Sequence, residues 1–288
     1  MRRIAALLSL LALAACFGPK PNPHYQLGQP YQTGGVWFYP SETYTLDESG
    51  LAAVYGSGHP SLTADGEAFD QSVVMAGHPT IQLPAVARLT NLENGRSVLV
   101  RINDRGTGNP ARLVEVTRRT ATLLGMAADR ATRVRLKILP EESHAAIDAL
   151  PGRPQLAMAA VPRATVVATD LAPPPGIAAA THTVGGNEAP VAPADATPTI
   201  VRLPETVTQG SAAPGRLWVR LDTFAEYPYA IAQQKRMSVW GATVDRIFNG
   251  RERLFRVQVG PIDSVGQADQ VLRDALARGI PDAHIVVD

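Results

Sequence analysis

The sequence predicts a mostly β first half and a smaller α+β domain at the C-terminus, separated by a segment without regular structure. Short apolar-alternating runs punctuated by Gly, Asn and Asp fill residues 50–140 and indicate six short strands. Residues 141–213 contain no Phe, Trp or Tyr. Residues 214–288 carry a strand, helix and strand pattern that occurs twice.

The N-terminus has the features of an export signal, predicted over residues 1–15. Arg2 and Arg3 precede "IAALLSLLALAA", an apolar run too short to span a bilayer. Cys16 follows and is the single cysteine of the chain, so an internal disulfide is excluded. Residues 16–49 are rich in Pro, Gly and aromatic side chains without a helical or strand period, which predicts an extended tether.

The barrel region begins with a clear hairpin signal. Asn94 and Gly95 separate "ARLTNL" from a run in which Val98, Val100 and Ile102 alternate with other residues. Further strands are predicted at 52–55, 73–76, 112–116 and 132–138, with one short helix at 118–124. Six short strands with little helix predict a small β-barrel over residues 50–140.

The middle segment, residues 141–213, is predicted to be a disordered linker. Ten prolines fall between Pro151 and Pro204 among Ala, Val and Thr. Such a composition buries too little apolar surface to offset the entropy of ordering the chain.

The C-terminal domain is predicted from an internal repeat. "VRLDTF" at 219–224 recurs 38 positions later as "VQVGPI" at 257–262, and each copy precedes a helical pattern and a β-branched run. The second helix has an apolar stripe at Ala268, Val271, Leu272, Ala275 and Leu276. We therefore expect a ferredoxin-like β-α-β-β-α-β domain, a topology shared with RNA-binding modules.

Charge argues against nucleic acid as the ligand of this domain. The whole chain has 27 Lys+Arg and 26 Asp+Glu, a formal net charge of +1. From Gly215 to Asp288 there are ten Lys+Arg and nine Asp+Glu, without a basic stripe. Nucleic-acid binding needs a basic surface, so no nucleic acid is expected as a partner.

Residues of catalytic type lie near the predicted turns of the barrel. Glu67 follows Asp65 and a glycine, His78 follows a strand, and Asp104 ends the Val98 strand. For each of them the residue pattern alone leaves open a solvated turn or a capping role. The carboxylates and histidine show no metal-ligand spacing, so neither a metal nor a cofactor is expected.

Three stretches of the barrel region stand out: "TADGEAFD" at 63–70, "AGHPTIQLP" at 76–84 and "VARLTNLENGRSVLVRINDRG" at 86–106. Together they resemble the rare lipoprotein A family of bacterial lytic transglycosylases. The resemblance implies a six-stranded double-psi β-barrel at 50–140. The "VQVGPI" element at 257–262 is similar to the sporulation-related repeat, which implies a peptidoglycan-binding domain at 214–288.

The resemblance also implies a reaction and its residues. Asp104 matches the family's general acid/base, with Glu67 and His78 as catalytic neighbours, and Tyr55, Asn103 and Arg105 are expected to contact substrate. The reaction cleaves the β-1,4 bond between N-acetylmuramic acid (MurNAc) and N-acetylglucosamine (GlcNAc) in glycan strands, preferably stripped of peptides. It leaves 1,6-anhydroMurNAc ends.

The same resemblance implies a location. "LAAC" at 13–16 is similar to a lipobox, so Cys16 is expected to carry acyl chains that anchor the protein to a membrane. The expected site is the periplasmic face of the outer membrane at the division septum, where cell-division proteins are candidate partners.

Four positions depart from the family pattern. Val54 stands where the family has a cleft Trp, Asp65 replaces Asn, Thr107 replaces Pro and Glu115 replaces Asp. The missing Trp favours an alternative function, a non-catalytic expansin-like protein that binds peptidoglycan at the septum. The joint retention of three cleft residues, Glu67, His78 and Asp104, favours the enzyme.

Overall fold

A computed structural model describes residues 19–148, 150–151, 200 and 202–288. The predicted signal peptide, the lipidation site Cys16 and most of the predicted linker lie outside these residues. Of the helices in the described part, none has both the length and the apolar character needed to cross a membrane.

The N-terminal segment lies along the barrel. Gln26 and Leu83 exchange two backbone hydrogen bonds of 2.8 and 2.9 Å. A short hairpin follows, formed by β1 (Tyr31–Thr33) and β2 (Val36–Phe38). The side chains of Tyr25 and Phe38 are buried. Tyr25 and Phe38 therefore anchor this segment to the first domain.

Six strands close into a barrel, as the sequence predicts. They are β3 (Asp47–Val54), β4 (Met75–Gly77), β5 (Ala85–Asn91), β6 (Arg96–Asp104), β7 (Val114–Val116) and β8 (Thr132–Ile138). Their order around the barrel is β3-β7-β4-β6-β5-β8, and β8 pairs with β3 to close it. The β3–β7 and β4–β6 pairs are parallel and the other four are antiparallel. The predicted double-psi architecture is thus confirmed.

The barrel core follows from the alternation seen in the sequence. Val98, Val100 and Ile102 of β6 are buried together with Leu89 of β5 and Leu136 of β8. The predicted β5–β6 turn is present, and Gly95 adopts a φ of +79°. The predicted short helix, α1 (Arg118–Leu124), begins at an N-cap whose side chain accepts a hydrogen bond from the backbone of the first turn.

The prediction of disorder over 141–213 is wrong at both ends of that segment. Pro140–Asp148 form helix α2, and the Ser143 hydroxyl bonds both backbone groups of Val86 at 2.9 and 3.1 Å. Near the other end, β9 (Thr208–Gln209) pairs with the exposed start of β6. The hydrogen-bond partners of these residues belong to barrel strands that are distant in sequence. Local composition therefore does not predict that these residues are ordered.

The C-terminal domain has the predicted β-α-β-β-α-β order. Its elements are β10 (Leu217–Phe224), α3 (Tyr227–Arg236), β11 (Thr243–Asn249), β12 (Glu252–Ile262), α4 (Val265–Ala277) and β13 (His284–Val287). The strands form an antiparallel sheet in the order β11-β12-β10-β13. The predicted apolar stripe of α4 packs into the domain core, and Ser264 caps the start of that helix.

The C-terminal domain packs against the barrel. Arg112 binds Asp269 of α4 through two hydrogen bonds of 2.7 and 3.0 Å, and both side chains are largely buried. Leu51 of β3 belongs to the C-terminal hydrophobic core. The connecting chain is also held, since the backbone nitrogen of Ala213 donates to the Leu92 carbonyl oxygen at 2.8 Å. Residues 205–215 therefore run along the barrel.

Candidate active site

A groove opens where β3 and β6 end. Its volume is about 380 Å³. The loop after β3 forms one wall and the turn after β6 forms the other. The lining residues are Tyr55, Gly56, Ser57, Gly58, His59, Pro60, Leu62, Thr63, Ala64, Asp104, Gly106 and Thr107. The predicted acid Asp104 and the predicted substrate contact Tyr55 both lie in this groove.

Asp104, the last residue of β6, holds its carboxylate in a dense set of hydrogen bonds. Oδ1 accepts from the Ala64 backbone nitrogen at 2.9 Å. Oδ2 accepts from the Tyr55 hydroxyl at 2.9 Å and from the Gly106 nitrogen at 3.0 Å. The His59 Nε2 lies 3.0 Å from the same oxygen. The carboxylate is therefore fixed in orientation, and only 6% of the residue surface is exposed.

Tyr55 reaches Asp104 because a glycine faces it. A Cβ atom on Gly77 would lie 2.0 Å from the Tyr55 hydroxyl and 2.7 Å from the Gly106 nitrogen. Burial, followed by the Asp104 charge and the hydrogen bond to it, raises the pKa of Tyr55 above its ordinary value. The phenol therefore stays a neutral donor.

His59 is the groove residue that the sequence analysis missed. Besides its contact with Asp104, its ring stacks on Phe69 with centroids 3.8 Å apart. It also meets the Tyr55 ring edge-on at 4.9 Å. A histidine before a proline is common in ordinary loops, so its sequence context does not mark it as a site residue. The available signal was its spacing, because it lies between Tyr55 and the "TADGE" stretch, both of which contribute to the groove.

Glu67 is buried, and its carboxylate binds side chains of β6 other than Asp104. The Glu67 Oε1 atom accepts from Arg101 Nε at 2.7 Å and lies 2.6 Å from Arg101 Nη2. Its Oε2 accepts from the Asn103 amide at 2.7 Å. Among the described residues, Glu67 is not one of the partners of the Asp104 carboxylate. Glu67, expected as a neighbour of Asp104, thus has hydrogen-bond partners of its own. Asn103, predicted to contact substrate, is buried in this ion-pair network.

Asp65 is buried beside the same network. Its Oδ1 accepts from the Thr63 hydroxyl at 2.7 Å, and its Oδ2 has no hydrogen-bond partner among the described residues. Burial, with the Glu67 charge as the second cause, raises the pKa of Asp65 to about 8. Asp65 therefore carries a proton at neutral pH.

His78 is buried outside the groove and binds the backbone of Asp104. Its backbone nitrogen donates to the Asp104 carbonyl oxygen at 2.9 Å, and its Nδ1 accepts from the Thr80 nitrogen at 3.2 Å. Burial, followed by the Arg105 charge, lowers the pKa of His78 to about 3. The ring is thus neutral. In the described part of the chain, it is not among the residues that line the groove.

Arg105 follows the last residue of β6, and its side chain has partners other than those of Asp104. Its guanidinium donates to the backbone carbonyl oxygens of Leu27, at 2.6 Å, and Ile81. Arg105 therefore ties the N-terminal segment to the loop after β4. The structure places this predicted substrate contact outside the groove.

Two departures from the family pattern contact each other. Glu115 of β7 accepts hydrogen bonds from the Thr107 nitrogen at 2.8 Å and from the Thr107 hydroxyl. A proline at 107 has no N–H to donate, and an aspartate at 115 is one methylene shorter. The two substitutions therefore form one unit, which holds the turn after Asp104.

The closed barrel, with an aspartate at the open end of its groove, defines the class of protein. It is a double-psi β-barrel, and residues 47–136 match the family model described as "Lytic transglycolase".

Whole-chain similarity gives the family. Endolytic peptidoglycan transglycosylase RlpA of Pseudomonas aeruginosa is 30% identical over 263 residues, covering 88% of this chain and 74% of that protein. The chain belongs to the RlpA family.

Other relatives match over shorter segments. The protein of the same name from Rickettsia felis is 32% identical over 124 residues, which cover 42% of this chain. This chain spans about half of that relative's length, 54%. A crystal structure of the RlpA SPOR domain from Pseudomonas aeruginosa matches 25% of this chain and 99% of its own, at 17% identity and a TM-score of 0.24.

Proposed function

We propose that this protein is a lytic transglycosylase that cleaves the β-1,4 bond between MurNAc and GlcNAc in peptidoglycan. The product ends are 1,6-anhydroMurNAc, and Asp104 acts as the general acid and then as the general base. The observation that carries the proposal is the Asp104 carboxylate, fixed by four contacts at the surface of a groove open to solvent.

The geometry suits a reaction that needs one carboxyl group. In the first step the acid gives a proton to the leaving O4 of GlcNAc while the bond from MurNAc C1 to that oxygen breaks. In the second step the 6-hydroxyl of the same MurNAc attacks C1, and its proton passes to the Asp104 carboxylate. No water is consumed, and the site ends with the proton it began with. A glycoside hydrolase usually needs a second carboxylate at a defined separation.

Other groove residues have supporting roles. Tyr55 and the backbone nitrogens of Ala64 and Gly106 orient the carboxylate toward substrate. His78 and Arg105 hold the backbone around it, while Glu67 orders Asn103 next to it. Positioning a reacting group in this way contributes strongly to catalysis, because the entropy of alignment is lost before the reaction starts.

The envelope location is part of the proposal. Cys16 carries the lipid anchor, which places the protein on the periplasmic face of the outer membrane. The C-terminal domain holds peptide-stripped glycan at the division septum, where cell-division proteins are its neighbours. The name of the Pseudomonas aeruginosa relative, which covers both ordered regions of this chain, supports the peptidoglycan assignment.

The experiment is a product analysis on peptide-free glycan strands with the mature chain. We expect fragments that end in 1,6-anhydroMurNAc and are one water lighter than hydrolase products. Asp104→Asn should lose this activity by at least about 100-fold, in the range for removing a general acid/base. Asp129→Asn, which changes an exposed carboxylate, is the matched control and should keep full activity.

A binding protein is the second candidate, favoured by Val54 at the position of the family's cleft Trp. In that case neither wild type nor Asp104→Asn yields anhydro ends, and both bind glycan strands with the same affinity. That pair of results would replace the enzymatic proposal with the expansin-like function.

A further inference from the structure

His59 has a contact on each ring nitrogen that restricts where its hydrogens lie. Its Nδ1 is 2.9 Å from the Pro60 carbonyl oxygen, and its Nε2 is 3.0 Å from Asp104 Oδ2. A carbonyl oxygen only accepts, so Nδ1 carries a hydrogen. If Nε2 carried none, its lone pair would face an ionised carboxylate oxygen at hydrogen-bond distance, which is repulsive. One further proton is therefore held between Nε2 and Oδ2.

The surroundings decide on which side that proton rests. Asp104 Oδ2 already accepts from the Tyr55 hydroxyl and the Gly106 nitrogen. Two donors on one oxygen favour the ionised carboxylate, because a bound proton would compete with them. On the other side, the His59 ring is stacked on Phe69 at an interplanar angle of 23°. An aromatic face stabilises a cation, so the proton rests on His59.

We propose that His59 is the proton store of the site, a positioning residue that holds one transferable proton on Nε2, next to Asp104 Oδ2, in an imidazolium–carboxylate pair. This inference rests on the proposed transglycosylase function. When the glycosidic bond breaks, the proton moves from Nε2 through Oδ2 to the leaving oxygen, and His59 becomes neutral with its hydrogen on Nδ1. The proton that Asp104 later takes from the 6-hydroxyl restores the pair.

The charges around His59 fit this assignment. Asp104 is the carboxylate in contact with the ring, and Tyr55 and Phe69 are the other ring neighbours. Glu115 acts electrostatically on Tyr55 but is held by Thr107. His78, the histidine predicted for the site, accepts backbone N–H groups on Nδ1 and is buried and neutral, so it does not serve as the store.

The first test reads the proton directly, without activity. Nitrogen NMR of the histidine rings in the mature chain at pH 7 should show hydrogens on both nitrogens of His59 in wild type. In Asp104→Asn the same ring should carry a single hydrogen. A wild-type ring with one hydrogen at pH 7 would overturn the inference, whatever the enzymatic activity turns out to be.

The second test separates proton storage from a structural role. His59→Gln keeps a donor toward Asp104 but cannot store a proton. We expect kcat to fall about 100-fold with little change in KM, and the alkaline limb of the pH–rate profile to move to lower pH. A loss of kcat with an unmoved limb would contradict proton storage.

The two tests also distinguish this inference from the proposed function. His144→Gln, at an exposed histidine of α2, is the matched control and should leave both the rate and the profile unchanged. Failure of wild type to form anhydro ends, together with a doubly protonated His59, would reject the enzyme and keep the pair. Anhydro ends together with a singly protonated His59 would keep the enzyme and reject the proton store.

Discussion

Replacing Arg101 should unfold the barrel more readily than replacing the carboxylate it binds. Arg101 is the buried cation that faces Glu67, and both side chains are more than nine-tenths buried. Breaking a buried ion pair by removing one partner costs about 3–5 kcal/mol, since the other charge is left without compensation. In Arg101→Met the Glu67 carboxylate keeps only the Asn103 amide, and the carboxyl group of Asp65 is adjacent.

Glu67→Gln should lower the free energy of unfolding less than Arg101→Met does, for an electrostatic reason. Without the Glu67 charge, one of the causes that raise the pKa of Asp65 is gone. Asp65 then ionises more readily and supplies a partial counter-charge to Arg101. We expect a loss of about 1–3 kcal/mol, the range for charged hydrogen bonds. The double variant should cost at least about 1 kcal/mol less than the sum of the single ones, as residues in one network do.

The assay is urea unfolding of wild type, both single variants and the double variant, with thermal midpoints as a second measure. For a compact unit of this size, 3–5 kcal/mol corresponds to roughly 6–20 °C. Glu67→Gln should keep more than about one tenth of the wild-type rate well below its midpoint, because removing a true general acid/base costs about 100-fold or more. If Glu67→Gln is as stable as wild type but inactive, Glu67 has a direct chemical role and not the structural one described.

Three further outcomes are expected. Asp65 binds a proton in the folded state up to about pH 8 but in the unfolded state only up to about pH 4. The free energy of unfolding should therefore fall as the pH rises between these values, by at most about 1.4 kcal/mol per pH unit. Asp65→Asn should remove this slope in urea titrations, and an unchanged slope would contradict the proton on Asp65. Gly77→Ala should displace the Tyr55 hydroxyl from Asp104 and abolish activity. It should also lower the free energy of unfolding by about 1–3 kcal/mol. Full activity of this variant would contradict the contact between Tyr55 and Asp104. Two separately expressed chains, covering residues 19–153 and 199–288, should co-purify. Asp269→Asn should weaken their association about tenfold, because the ion pair with Arg112 is lost. If the two wild-type chains do not co-purify, the domains do not dock.

The architecture was predictable because it depends on local patterns. Strand alternation around Val98 and the Asn94-Gly95 turn give the β5–β6 hairpin, and the stripe of α4 gives the second helix of the C-terminal domain. The ends of the 141–213 segment were not predictable in this way. Ser143 and Thr208 gain hydrogen bonds from β5 and β6, so their order comes from distant residues.

The place of Asp104 was predictable, whereas its neighbours were not. Asp104 follows the clear alternation of β6, so its position at the end of that strand could be expected, while the resemblance to the family pointed to a cleft there. Glu67 and His78 were expected beside it, but each is buried with a partner of its own, which sequence spacing does not reveal. His59 comes to Asp104 through the fold of the loop after β3, over a separation of 45 residues.

The most direct test of Asp104 as the general acid/base is the analysis of glycan ends after incubation of peptide-free strands with wild type, Asp104→Asn and Asp129→Asn. We expect 1,6-anhydroMurNAc ends from wild type and Asp129→Asn, and at least about 100-fold fewer from Asp104→Asn. Reducing ends formed with water, or equal anhydro product from wild type and Asp104→Asn, would show that the protein is not a transglycosylase that uses Asp104.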